Sequence, residues 1–138
     1  MTSRRIHVSA AVITDAAGRA LVVRKRGTAM FMQPGGKPEP GESAAEALSR
    51  ELHEEIGLVV EPGALQPLGS FESDAANEPG HRVIAEVFRV DAEPEAVSAR
   101  AEIAEVRWIT PREVASMPLA PLSLDFLLAL AWADRPLR

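Results

Sequence analysis

The chain has 138 residues, 46% of them hydrophobic and 25% charged, which suits a globular domain with its own core. Its formal net charge of −5 argues against non-specific binding of a nucleic-acid polymer, which needs a basic surface, but leaves a small anionic ligand open. The absence of cysteine excludes disulfides and zinc–thiolate sites and fits a reducing cytoplasm, and no apolar run is long enough to make a membrane the expected partner.

The start, M-T-S-R-R-I-H-V-S-A-A-V-I-T-D, holds a short apolar stretch closed by Asp15, too interrupted for a signal peptide. Residues 6–14 are rich in β-formers. Residues 15–18 read as a turn and 19–26 as a second strand, so the pair suggests a hairpin. Residues 27–41 are rich in Gly and Pro and are expected to form an ordered loop. A helix follows over about 43–56: Ser43 and Glu46 have capping-box spacing, and Gly57 is a natural stop. Residues 65–73, 81–90 and 105–109 read as strands. Residues 110–117, with Pro111 in the first turn, and 123–133 read as helices. Strands and helices mix without regular βαβ alternation, which favours an α+β or layered α/β/α sheet over a doubly wound parallel one. No repeat or linker divides residues 1–138, which are treated as one domain.

The central helix concentrates charge. A helix turns about 100° per residue, so Glu51, Glu54 and Glu55 share one face at i, i+3 and i+4. Leu48, Leu52 and Ile56 form the neighbouring apolar stripe, expected to face the core. Arg50 and Glu46 lie further round, at a spacing that allows an ion pair. Like charges at i,i+4 cost a few tenths of a kcal/mol each, and more where water is scarce. One reading is a solvated acidic face. The other is a divalent cation that removes the repulsion, and hard oxygen ligands suit Mg²⁺ or Mn²⁺. Ahead of the helix, Pro34-Gly35-Gly36-Lys37 permits close backbone approach, and Lys37 can reach a phosphate. The order matches neither a Walker A loop nor an EF-hand.

From Gly36 the pattern is G-x5-E-x7-R-E-L-x-E-E-x-G-L: Gly36, Glu42, Arg50, Glu51, Leu52, Glu54, Glu55, Gly57, Leu58. This resembles the Nudix box, the signature of hydrolases that cleave nucleoside diphosphates linked to another moiety. The resemblance implies a Nudix-like α/β/α sandwich, a mixed β-sheet between helices with the box as loop–helix–loop. It also implies a Mg²⁺ cofactor, with Mn²⁺ as a substitute, held by Glu51, Glu54, Glu55 and the Gly35 carbonyl. Arg50 is similar to the arginine that orients a catalytic Glu, while Gly36, Glu42 and Gly57 would hold the loop. Outside the box, A-E-I-A-E-V-R-W resembles a region where some members carry a further Glu, as metal ligand or general base. Glu102 is the first choice and Glu105 the second, the alternative for each being an exposed loop Glu. Glu54 or Glu102 would accept the proton of the attacking water. Arg24, Lys25 and Arg26 either contact phosphates or are solvated, and Phe31 either stacks on a base or fills the core. His53 reads as surface, His81 and Arg82 as the border of a pocket, and Trp108 and Trp132 as core.

The activity so implied is hydrolysis of a diphosphate bridge in a small nucleotide, requiring Mg²⁺ and favouring alkaline pH. After the box, S-F-E-S-D-A-A-N lacks the proline of the ADP-ribose branch. The chain has no tyrosine, which dinucleoside-polyphosphate branches often use there. No coenzyme A motif precedes the box. Elimination leaves a (deoxy)nucleoside triphosphate, oxidised ones included. Gln33 stands before Pro34, where many members carry an apolar residue, and is expected to alter the pocket wall. The rival is a sensor or interaction domain that binds a nucleotide metabolite without catalysis; the intact box disfavours it. Family habit admits a homodimer.

Overall fold

The computed structural model describes residues 4–75 and 79–133. Among them, seven strands form one mixed sheet. Strand β1, Arg4–Thr14, runs antiparallel to β2, Ala20–Lys25, only at Thr14↔Ala20. The remaining strands are β3, Phe31–Met32; β4, Gly35–Gly36; β5, Gln66–Asp74; β6, His81–Asp91; and β7, Ile103–Ile109. β1 pairs with β6 in parallel along its whole length, from Arg4↔His81 to Thr14↔Asp91. β5 pairs antiparallel with β6 at one edge, and β2 pairs antiparallel with both β3 and β7. The result is a mixed sheet with helices, of α+β type.

The expected hairpin therefore forms only at its root. There the Asp15 carboxylate accepts from the Arg19 backbone N–H and from Arg19 Nε, both at 2.8 Å. Beyond the root the strands part, because each finds another partner. β1 gives that edge to β4 at Ser9↔Gly36 and Ala10↔Gly35, and β2 pairs instead with β3 at Val23↔Met32 and Arg24↔Phe31. The Gly/Pro-rich loop thus feeds two two-residue strands into the opening.

Successive residues of a strand point to opposite faces. Ala10, Val12, Ala20 and Val22 enter one core, while Ala11, Ile13, Leu21 and Val23 enter the other. Both faces of these strands are covered, so they read as continuous apolar runs rather than alternating ones. Helix α1, Ala44–Ile56, covers the second core, with Leu48, Leu52 and Ile56 fully buried as the stripe predicts. Each such side chain contributes about 1.5–3 kcal/mol.

α1 begins where the capping box said it would. Ser43 Oγ accepts from the Glu46 N–H at 3.1 Å, and Glu46 Oε1 accepts from the Ser43 N–H at 2.8 Å. Glu46 is thereby committed to the cap, and the ion pair its spacing allowed with Arg50 does not form. The helix ends at Gly57 in the left-handed conformation, with Gly57 N–H on His53 O as in an αL cap and Leu58 N–H on Leu52 O.

One other expectation changes, and the C-terminal helix is present with an irregular first part. The segment read as a helix over 110–117 is a tight 3₁₀ turn, Pro111–Ser116, capped reciprocally by Thr110 and Glu113. It has too few apolar positions to dock a longer helix. The C-terminal helix opens on a widened turn, Ser123–Leu127, in which Leu128 N–H bonds Ser123 O. It continues as α2, Leu128–Ala133, with Leu127, Leu128 and Ala131 buried in the first core. Trp132 packs there and donates from Nε1 to Gly18 O at 2.9 Å; Trp108 packs on the other core. No described helix is long and apolar enough to cross a membrane.

Candidate metal and nucleotide site

The widened gap between β1 and β2 opens into a cavity of about 360 Å³. Residues from both arms line it, among them Val8 and Ala10 of β1, and Val23 and Lys25 of β2. Glu51, Glu55 and Glu102 form its acidic end. Each offers a carboxylate oxygen, and these lie within 4.8 Å of one another. Glu51 and Glu55 come from successive turns of α1. Glu102 comes from the segment leading into β7, which is tied to β2 where Arg26 N–H donates to Glu102 O at 2.7 Å.

Glu55 is only 2% exposed, and its Oε1 accepts from Gly35 N–H at 3.1 Å. Burial pushes its carboxyl up to about 8. The Gly35 hydrogen bond and Lys25 oppose that shift, while Glu51 and Glu102 add to it. Burial also raises Glu51, against the pull of Arg50. The protein alone thus stabilises negative charge poorly at this point. A cluster of hard, partly desolvated oxygens is a donor set that fits a divalent cation. The glycines are required by closeness. A Cβ at Gly35 would collide with the Ser9 carbonyl, and one at Gly36 with the Glu51 carboxylate.

Arg50 organises the rim. Its Nε and Nη2 grip Glu42 Oε2 and Oε1 at 2.7 and 2.9 Å, a forked pair. Nη1 reaches Glu51 Oε2 at 3.3 Å and Glu54 Oε1 at 3.2 Å, and Nη2 reaches Lys37 O at 3.3 Å. One guanidinium therefore joins the loop to the acidic turn. The hydrogen bond from Arg50 holds the Glu42 carboxyl down at about 2.

The other sequence candidates separate. Glu54 is exposed, tethered to Arg50, and outside the three-carboxylate cluster. Lys37 lines the cavity. Of the three basic residues closing β2, Lys25 lines it, whereas Arg24 pairs with Glu105 at 3.3 Å and Arg26 donates to Ala101 O. Strand alternation carries that signal: Val23 and Lys25 share a face, and Arg24 does not. Glu105 is occupied by Arg24 and Arg107, the latter holding its carboxyl below the usual range. Phe31 is buried in the first core, with the Arg107 guanidinium 5.1 Å from its ring. His53 is exposed. His81 and Arg82 line a separate shallow depression that meets the main cavity at Asp74 and Ala75. Gln33 does enter the wall, where Ser123 Oγ donates to its Oε1. Nothing local in the sequence marked Ser123, whose partner lies 90 positions away.

Known proteins resemble this chain in sequence and fold. The family model described as the NUDIX domain matches residues 3–130. An uncharacterised Nudix hydrolase of Pseudomonas aeruginosa is 35% identical over 97 residues, 67% of this chain and 54% of that protein. The phosphatase NudJ of Escherichia coli K12 is 41% identical over 58 residues, 41% of this chain and 38% of that protein. The chain thus spans about half the length, or less, of these curated relatives. Among solved structures, the MutT protein of Methanosarcina mazei Go1 shares the fold, with a TM-score of 0.77 at 23% identity over 99% of both chains. With the match running from β1 into α2, the chain belongs to the NUDIX domain family.

Proposed function

We propose that this chain is a pyrophosphohydrolase, dependent on Mg²⁺ with Mn²⁺ as a substitute, that cleaves the diphosphate linkage of a small nucleotide. The leading substrate class is a (deoxy)nucleoside triphosphate, oxidised ones included. The observation that carries this reading is the convergence of Glu51, Glu55 and Glu102 within 4.8 Å at one end of a cavity whose remaining wall is largely apolar. The hydrolase names of both curated relatives support it.

Glu51, Glu55 and Glu102 would hold the cation, with Glu54 and the Gly35 carbonyl completing the set the box implies. When bound, a divalent cation supplies charge neutralisation at the phosphate oxygens and activation of water. Glu55 has to be ionised to serve as a ligand, so cation uptake releases its proton below about pH 8. Lys25 and Lys37 set positive charge along the cavity for the substrate phosphates. Arg50, gripped by Glu42, keeps Glu51 and Glu54 from swinging away. Glu102 is exposed yet within the cluster, and takes the role of accepting the water's proton; Glu54 is the alternative.

Phosphate or pyrophosphate release across a nucleotide panel, with and without Mg²⁺, tests the proposal. The expected result is cation-dependent release that Glu55→Gln abolishes. Nucleotide binding without release would instead favour the sensor reading.

A further inference from the structure

We propose that Gln33 and Ser123 form a subsite that reads the heterocycle of the substrate, favouring a ring carbonyl over an amino group at the same ring position. The inference rests on the nucleotide reading above but concerns the opposite, apolar part of the cavity. Both residues line the cavity, at 6% and 1% exposure. The hydroxyl of Ser123 donates to Gln33 Oε1. Among the described residues no acceptor meets Gln33 Nε2. No buried side-chain polar atom there lacks a partner, so Nε2 belongs to the small accessible part of Gln33, which borders the cavity. An amide carries two donors on nitrogen and two lone pairs on oxygen. Ser123 engages the oxygen, and in this arrangement the nitrogen is the end of the amide left without a protein partner. The nitrogen is left as the free donor, in a wall otherwise built from Ala120, Leu122 and Leu127.

The fold holds this pair with some care. Phe31 N–H bonds Pro118 O at 2.8 Å, and Ala120 N–H bonds Phe31 O at 2.9 Å. These bonds tie the strand just ahead of Gln33 to the segment just ahead of Ser123. The widened turn Ser123–Leu127 then supplies Ser123 and Leu127 to that wall. Such wide turns recur at functional sites. A flat ring against the apolar side chains would present its edge to the amide nitrogen. A carbonyl there accepts a hydrogen bond, whereas an amino group meets donor with donor and leaves both unpaired. Hypoxanthine and guanine rings satisfy the amide; adenine does not. Ser123 is a positioning residue in this scheme.

Inosine and adenosine 5′-monophosphates separate the alternatives, because they differ only around C6 and carry no diphosphate to cleave. In calorimetric titrations with Mg²⁺ present, the protein is expected to bind the inosine form about tenfold more tightly. Gln33→Leu should bring the ratio near one, and Ser123→Ala, which deletes one oxygen and frees the amide to turn, should lower it as well. A ratio near one or reversed in the unaltered protein, or a ratio unchanged in both variants, overturns the inference. So does failure to bind either nucleotide. Inosine and adenosine triphosphate cleavage is measured in parallel. Cleavage with a preference that Gln33→Leu leaves intact sinks the subsite and spares the proposed activity. Gln33-dependent binding without cleavage sinks the activity and spares the subsite.

Discussion

Glu55→Gln is expected to stabilise the metal-free protein at alkaline pH while it abolishes hydrolysis. In the unfolded chain this carboxyl ionises near 4.5; in the folded protein burial moves it to about 8. Between those values the folded protein keeps a proton that the unfolded chain has lost. The group's contribution to stability is therefore complete below 4.5 and is lost as pH rises through 8. At about 1.4 kcal/mol per pH unit, the loss is on the order of 3–5 kcal/mol. Gln has no charge to bury, and its amide oxygen still accepts from Gly35 N–H. Thermal melts in EDTA from pH 5 to pH 9 read the effect directly. The two proteins should melt together at pH 5, and the variant should melt higher by on the order of 10 °C at pH 9. Adding Mg²⁺ should reverse the order, because only the unaltered protein gains a ligand-bound state. Melting curves that shift in parallel across the whole range would show that Glu55 is not the strained group, and the electrostatic account of the site would fail.

Three further outcomes follow from the same geometry. Glu54→Gln should also cut hydrolysis by orders of magnitude, yet leave the alkaline melting point where it was, since Glu54 is exposed; melts beside nucleotide assays check both halves. Arg50 holds Glu42 at about 2, so the stability this pair confers is present above the unfolded value of 4.5 and disappears as pH falls through 2. Glu42→Gln should accordingly flatten the acid limb between pH 4.5 and 2 in circular dichroism. Gly36→Ala should leave the far-ultraviolet spectrum unchanged but weaken Mg²⁺ binding more than about tenfold by calorimetry, because the added methyl displaces the Glu51 carboxylate.

The parts of this molecule that obey short-range rules were legible in the sequence. The α1 boundaries followed from Ser43, Glu46 and Gly57, and its buried face from Leu48, Leu52 and Ile56. Glu102 was chosen on the family resemblance rather than on a local rule, and it joins Glu51 and Glu55. Pairings set by distant competition were not legible. The turn at Asp15 promised a hairpin, but past its root β1 bonds β4 and β2 bonds β3. Arg24 and Arg26 drew attention as cations near a glycine loop, although strand parity assigns Lys25, not Arg24, to the cavity side. Glu46 looked like a partner for Arg50 until the capping box claimed it. Gln33 stood out as an unusual polar residue, but its link to Ser123 depends on a chain crossing that no local window contains.

The assignment of alternate β1 and β2 residues to two separate cores has an evolutionary corollary. The helix bearing the acidic turn is anchored in one core and the wall around Ser123 in the other, although one cavity opens onto both. Changes that reshape the wall spend their strain on Leu122, Leu127 and their neighbours, and stop at the strands. Descendants of such a scaffold can drift toward new cargo while the hydrolytic apparatus they inherit stays in register.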